Sequence, residues 1–131
     1  MLNPNVMRML CYFTFTIFSI IFMASPKNNG LVNTSWSGIM NVPNPTPTTL
    51  KFSIDTFYVY VDKDLIETST YSVSNDTLTL KKVSGGSPCM DEVGIYAYDI
   101  TEDVLIIKPV SDSCDARYYA LSPLGYKKIE E

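Results

Sequence analysis

Two cysteines carry the most specific chemistry in this chain. Cys89 precedes the apolar run Val93–Ile100, and Cys114 follows the apolar run Val104–Val110. The turn Thr101-Glu102-Asp103 joins the runs. The outer ends of an antiparallel hairpin lie side by side, so the two thiols meet as a structural disulfide, Cys89–Cys114, without strain. Neither cysteine belongs to a CxxC motif or has a flanking cation, and Asp112 and Asp115 beside Cys114 would raise its pKa. The pattern therefore favours a brace over a reactive thiol. Carboxylates pair at Asp62/Asp64, Asp91/Glu92 and Asp112/Asp115. Acid–base catalysis needs two carboxyls in a shielded cleft with separated pKa values, whereas these pairs fall in turns and at strand ends. No calcium-loop motif is present. Histidine is absent from all 131 residues. That removes the commonest general base, the Ser/His and Cys/His nucleophiles, and most zinc sites. The expectation is a protein that is not an enzyme, with no catalytic residue, no metal and no cofactor.

The elements that would position these residues read as strands. From Leu31 onward the hydrophobic period is two, and strand candidates recur every ten or so residues. They are Asn33–Val42, Thr49–Ile54, Phe57–Val61, Leu65–Ser74, Thr77–Val83, Val93–Ile100, Val104–Val110 and a last strand Arg117–Leu121. Prolines at 43, 45 and 47 predict a stiff extended loop that joins no ladder. The SGGSP segment 84–88 reads as a flexible loop, and Gly125–Glu131 as a charged tail. No stretch keeps apolar residues at helical spacing. Eight strands in about a hundred residues predict one all-β domain, a sandwich or a barrel.

Upstream, polar Met1–Arg8 leads into apolar Met9–Met23. A helix over that run rises about 22 Å, short of the roughly 30 Å hydrocarbon core. Residues 1–25 therefore read as a signal peptide, or as a membrane anchor if uncleaved, with 26–30 as a disordered spacer. Export agrees with the disulfide and predicts a secreted or periplasmic location. With Lys plus Arg at 10 against Asp plus Glu at 14, the chain carries −4 and has no basic stripe, which argues against a nucleic-acid partner. Asn33-Thr-Ser and Asn75-Asp-Thr are glycosylation sequons in a eukaryotic secretory pathway.

Three features together resemble the calycins, the lipocalin and fatty-acid-binding-protein group, and especially their small bacterial lipocalin-like members. They are the lone Trp36 with Gly38 beside it in TSWSG, the eight short strands, and Arg117 in DSCDAR at the start of the last strand. The resemblance implies a single antiparallel eight-stranded up-and-down barrel over residues 31–124. It also implies that Arg117 lies across Trp36 and closes the barrel by a cation–π contact. Within such a barrel Phe52, Phe57, Tyr71, Tyr96 and Tyr98 would line the lumen. An eight-stranded lumen is either filled by side chains or holds one small ligand. Two functions follow. One is a binding module for a small, largely apolar ligand, with the Tyr96 and Tyr98 hydroxyls orienting it. The other is a filled barrel that presents loops 43–48 and 84–88 to a protein partner as an interaction or inhibitor module.

Overall fold

A computed structural model describes residues 29–121 and 125–130. The signal peptide or anchor, and the spacer up to residue 28, lie outside the described residues. Eight strands close into an antiparallel up-and-down barrel: β1 (Thr34–Asn41), β2 (Pro45–Phe52), β3 (Thr56–Val61), β4 (Asp64–Ser74), β5 (Thr77–Gly85), β6 (Val93–Thr101), β7 (Val104–Asp112) and β8 (Tyr126–Ile129). A short helix, α1 (Asp115–Ala120), lies between β7 and β8. The turns at Asp62-Lys63 and Glu102-Asp103 each place two residues at positive φ, which matches the right-handed twist of the flanking strands.

Alternation along each strand sends one face to a common interior. That interior holds Trp36, Leu50, Phe52, Phe57, Leu78, Leu80, Tyr96, Leu105, Ile107 and Tyr126. Trp36 is only 1% exposed, and its Nε1 donates to Thr34 Oγ1 at 2.7 Å. Leu31, just ahead of β1, is also fully buried. Asn29 accepts from the backbone N–H of Leu31 and of Val32. The end of the expected spacer is thus tied down rather than disordered.

Three expectations need correction. The proline segment does join a ladder: Pro45 pairs with Asn41, and Pro47 with Ile39. β3 reaches only as far as Thr48, so among the described residues this part of β2 pairs with no strand on its other side, and its missing donors break no ladder bond there. Secondly, Arg117–Leu121 is not a strand; residues 115–120 are helical. Cys114, anchored by its disulfide and by its N–H to Asp112 Oδ1, turns the chain, and Asp115 suits the first helical turn. Thirdly, the strand that closes the barrel lies in the supposed charged tail, where β8 pairs with both β1 and β7.

Along β8 the seam is closed by Tyr126 and by the pairing of Trp36 with Lys128, not by Arg117 lying across Trp36. A Cβ on Gly38 would stand 2.5 Å from Tyr126 Cδ1, so only glycine lets that ring seat fully buried against β1. β8 reaches only the lower part of the seam, pairing with Ser35–Ser37 of β1 and with Val104 and Leu105 of β7. α1 packs against both β7 and β1. It acts as the wall where no strand pairs.

Candidate functional site

Leu31 and the inward residues of the strands fill the lower lumen. Phe52 lies tilted against Phe57 at 4.8 Å between ring centroids and meets Tyr71 edge-on at 5.2 Å. Tyr71 donates its hydroxyl to Ser53 O at 2.6 Å, and Tyr98 donates to Asn29 O at 3.0 Å. Both hydroxyls are thus engaged at the lower end, and burial raises both pKa values.

The upper lumen is different. A cavity of about 550 Å³ opens between the inward faces of β1, β3 and β4, the loop 86–88 and helix α1. Its wall is mostly apolar, with Met40, Phe57, Val59, Ile66, Ala120 and Leu121 the main contributors. Polar groups are few: Glu67 and Ser69 from β4, Ser87 from the loop, Arg117 from α1 and Asn41 at the edge. The pleat explains the β4 pair. Glu67 lies opposite Val59 and Ser69 opposite Phe57, so both share the lumen side. Ser69 is 1% exposed, and its Oγ has no hydrogen-bond partner. Glu67 Oε1 accepts from Ser87 Oγ at 2.8 Å.

Helix α1 is too short to persist on propensity alone, so tertiary contacts must hold it. The disulfide Cys89–Cys114, with Cα atoms 5.5 Å apart, ties its N-terminal end to the β5–β6 loop. Arg117 supplies the second tie. Its Nε donates to Asp112 Oδ2 at 2.6 Å and its Nη2 to Asp112 Oδ1 at 2.9 Å, a two-pronged ion pair. Nη2 also donates to Glu92 O at 2.8 Å, and the Tyr96 hydroxyl donates to Asp112 Oδ2. Gly94 makes room for the pair, since a Cβ there would meet Asp112, the Tyr96 ring and Arg117 Nε. Burial alone would push the Asp112 carboxyl up, but hydrogen bonds from Arg117, Tyr96 and the Cys114 N–H hold it below its ordinary value. Burial also opposes the Arg117 charge, and Asp112 more than restores it, raising its pKa. Tyr96 is driven well above its ordinary pKa by burial and by its bond to Asp112.

The expected site residues are thus divided among three roles. Cys89 and Cys114 form the bridge. Phe57 lines the cavity, while Phe52 and Tyr71 pack beneath it, Tyr96 belongs to the Asp112–Arg117 cluster and Tyr98 caps the lower end. Arg117 does reach the cavity wall, but among the described residues it makes no cation–π contact with Trp36. Of the loops expected to meet a partner, Pro45–Thr48 and Ser84–Gly85 are strand, which leaves residues 43–44 and 86–88 at the mouth. The exposed ring of Tyr119 joins them there. Glu67 and Ser69 were not among the expected residues. The signal for them was present in LIETSTYSVS, where an acid and a serine share the face that buries Tyr71. Among the described residues no group of three or more His, Cys, Asp or Glu side chains is placed to hold a metal. Also among the described residues, no helix is long and apolar enough to cross a membrane. Compared with family models, with curated proteins and with solved structures, the chain matches none.

Proposed function

We propose that this protein is an exported, lipocalin-like binding module that holds one small, largely apolar ligand in the upper lumen. The observation that carries the reading is the cavity. Its 550 Å³ falls within the range of small-molecule sites, and an apolar wall with few polar groups is how such sites are built. The wall is also braced: the disulfide and the Arg117–Asp112 pair hold α1 over the gap that β8 does not span. A buried disulfide supports an oxidising, extracytoplasmic setting. The barrel and its TSWSG first strand support the calycin kinship, and the lack of histidine supports binding rather than catalysis.

The test is a titration of the full chain with the neutral fluorophore N-phenyl-1-naphthylamine, alongside Ala120→Trp, which fills the cavity from α1. Saturable enhancement that Ala120→Trp abolishes, with the melting temperature held, is expected. Enhancement that the substitution leaves intact would place the probe elsewhere and overturn the reading. A second reading, a mouth that docks a protein partner, draws on the edge-to-face pair Tyr118–Tyr119, whose second ring is 64% exposed. It predicts partner capture that survives Ala120→Trp and fails when Val42–Thr48 is shortened.

A further inference from the structure

The cavity's polar wall points to the chemistry of the ligand's head. Glu67 projects a carboxylate among Val59, Ile66 and Ser69, and among the described residues no cation is in salt-bridge contact with it. One oxygen accepts from Ser87 Oγ, which leaves the other available to a ligand. Lys82, opposite Ser69 on β5, turns its ammonium to Ser87 O and does not line the cavity. Arg117 does line it, but Asp112 already matches its charge through two hydrogen bonds. Next to Glu67, the buried Oγ of Ser69 has no partner among the described residues, so a second polar atom in the same wall is open to a ligand.

The rim agrees in sign. The turn carrying Asp62 and Asp64, the loop carrying Asp91 and Glu92, and Asp115 on α1 all lie at this end of the barrel. Among the described residues the cations there are Lys63, Lys81, Lys82 and Arg117, fewer than the carboxylates, which also include Glu67 and Asp112. Such a field draws cations and repels anions. Glu67 is half-buried at this wall, and a ligand donor would occupy the carboxylate oxygen that Ser87 leaves open.

Resting on the lumen-binding reading, we infer that the ligand is an amphiphile with an apolar body and a hydrogen-bond-donating head. The head is a protonated amine, or failing that a hydroxyl. It bonds to Glu67 and Ser69, and a fatty-acid type carboxylate is disfavoured. The competing arrangement places a carboxylate head on Nη1 of Arg117, which is buried without a partner among the described residues.

Displacement of bound N-phenyl-1-naphthylamine from the full chain at pH 7 separates the two. Dodecylamine, dodecanol and dodecanoate are compared, each below its aggregation concentration. Dodecylamine should displace the probe at roughly tenfold lower concentration than dodecanoate, since the two heads differ in sign beside one uncompensated charge. Glu67→Gln should bring dodecylamine down toward the level of dodecanol and weaken dodecanol much less, because the amide oxygen still accepts from a hydroxyl. Ser69→Ala should weaken the amine and the alcohol alike. If dodecanoate matches or exceeds dodecylamine, or if Glu67→Gln leaves the amine preference intact, the donor-head inference falls while lumen binding stands. If none of the three displaces the probe, or all displace it equally from Ala120→Trp, lumen binding itself falls.

Discussion

Replacing Arg117 by Met should be the most damaging single change outside the lumen's aromatic residues. The side chain is 6% exposed and Asp112 is fully buried. Arg117→Met removes three hydrogen bonds of 2.6, 2.8 and 2.9 Å while keeping most of the apolar stem. What remains is a buried carboxylate with only the Tyr96 hydroxyl and the Cys114 N–H as donors. Removing one partner of a buried pair costs about 3–5 kcal/mol. For a barrel of about a hundred residues, each kcal/mol moves the melting temperature by about 4–8 °C, so the loss should be some 12 °C or more. Adding Asp112→Asn to Arg117→Met should restore much of it, because the buried charge is gone and Tyr96 keeps an acceptor. The pH profile adds a sign. In the parent, the lowered Asp112 pKa contributes stability that is full above its unfolded value of 3.8 and is lost as pH falls through the folded value. In Arg117→Met, burial is weakly opposed and the folded pKa should rise. The variant then gains stability relative to the parent as pH drops from 7 toward 5. Urea unfolding followed by Trp36 fluorescence reads both effects. A loss under about 1 kcal/mol, or no recovery in the double variant, would refute the reasoning about this pair.

Four further outcomes follow from the same packing. Trp36→Ala should cost about 3–5 kcal/mol in urea unfolding, as for a large aromatic deleted from a core; a loss below about 1 kcal/mol would contradict its burial. Gly38→Ala should cost about 1–3 kcal/mol by overpacking against Tyr126, and Tyr126→Leu in that background should relieve part of it. Burial pushes Tyr126 from 10.0 up to about 12. Its raised folded pKa gives stability that is complete below pH 10 and lost as pH climbs toward 12, about 3 kcal/mol at 1.36 per pH unit. Its hydroxyl is buried without a partner among the described residues, so Tyr126→Phe should be close to neutral at pH 7 and should flatten this alkaline loss. Reducing Cys89–Cys114, which closes a 25-residue separation, should cost about 3 kcal/mol, read as a lower urea midpoint in dithiothreitol.

Strands were the most legible level of the sequence. Seven of the eight candidates correspond to β1–β7, because a half-buried sheet writes its inner face at every second residue, as in Leu50/Phe52 and Leu105/Ile107. The hairpin ends carrying Cys89 and Cys114 were legible for the same reason. β8 was not: YKKI has two lysines in four residues, and its pattern is that of a solvated tail. Only the pairing of Tyr126 with the space over Gly38 fixes it, and that is a contact across 88 positions of chain. α1 was equally hidden, since its six residues depend on a disulfide and an ion pair rather than on periodicity. Arg117 was expected against the Trp36 ring, and it pairs with Asp112 instead. Asp112, five residues earlier, outweighs an indole face because a two-pronged charged hydrogen bond exceeds a cation–π contact. Of the residues expected to line a lumen pocket, Phe57 alone reaches the cavity wall. The cavity lies where α1, the loop 86–88 and the inner faces of β1, β3 and β4 meet, which is a property of packing and not of any one segment.

Carbon-13 methyl spectra of the full chain, titrated with N-phenyl-1-naphthylamine, test the central claim most directly. Met40, Val59, Ile66 and Leu121 line the cavity, whereas Ile54, Val83 and Val110 are exposed on the outside of the barrel. Shifts that saturate together at the first four and spare the last three are the predicted result. Shifts at the outer methyls, or none at the inner ones, would contradict a ligand-holding lumen.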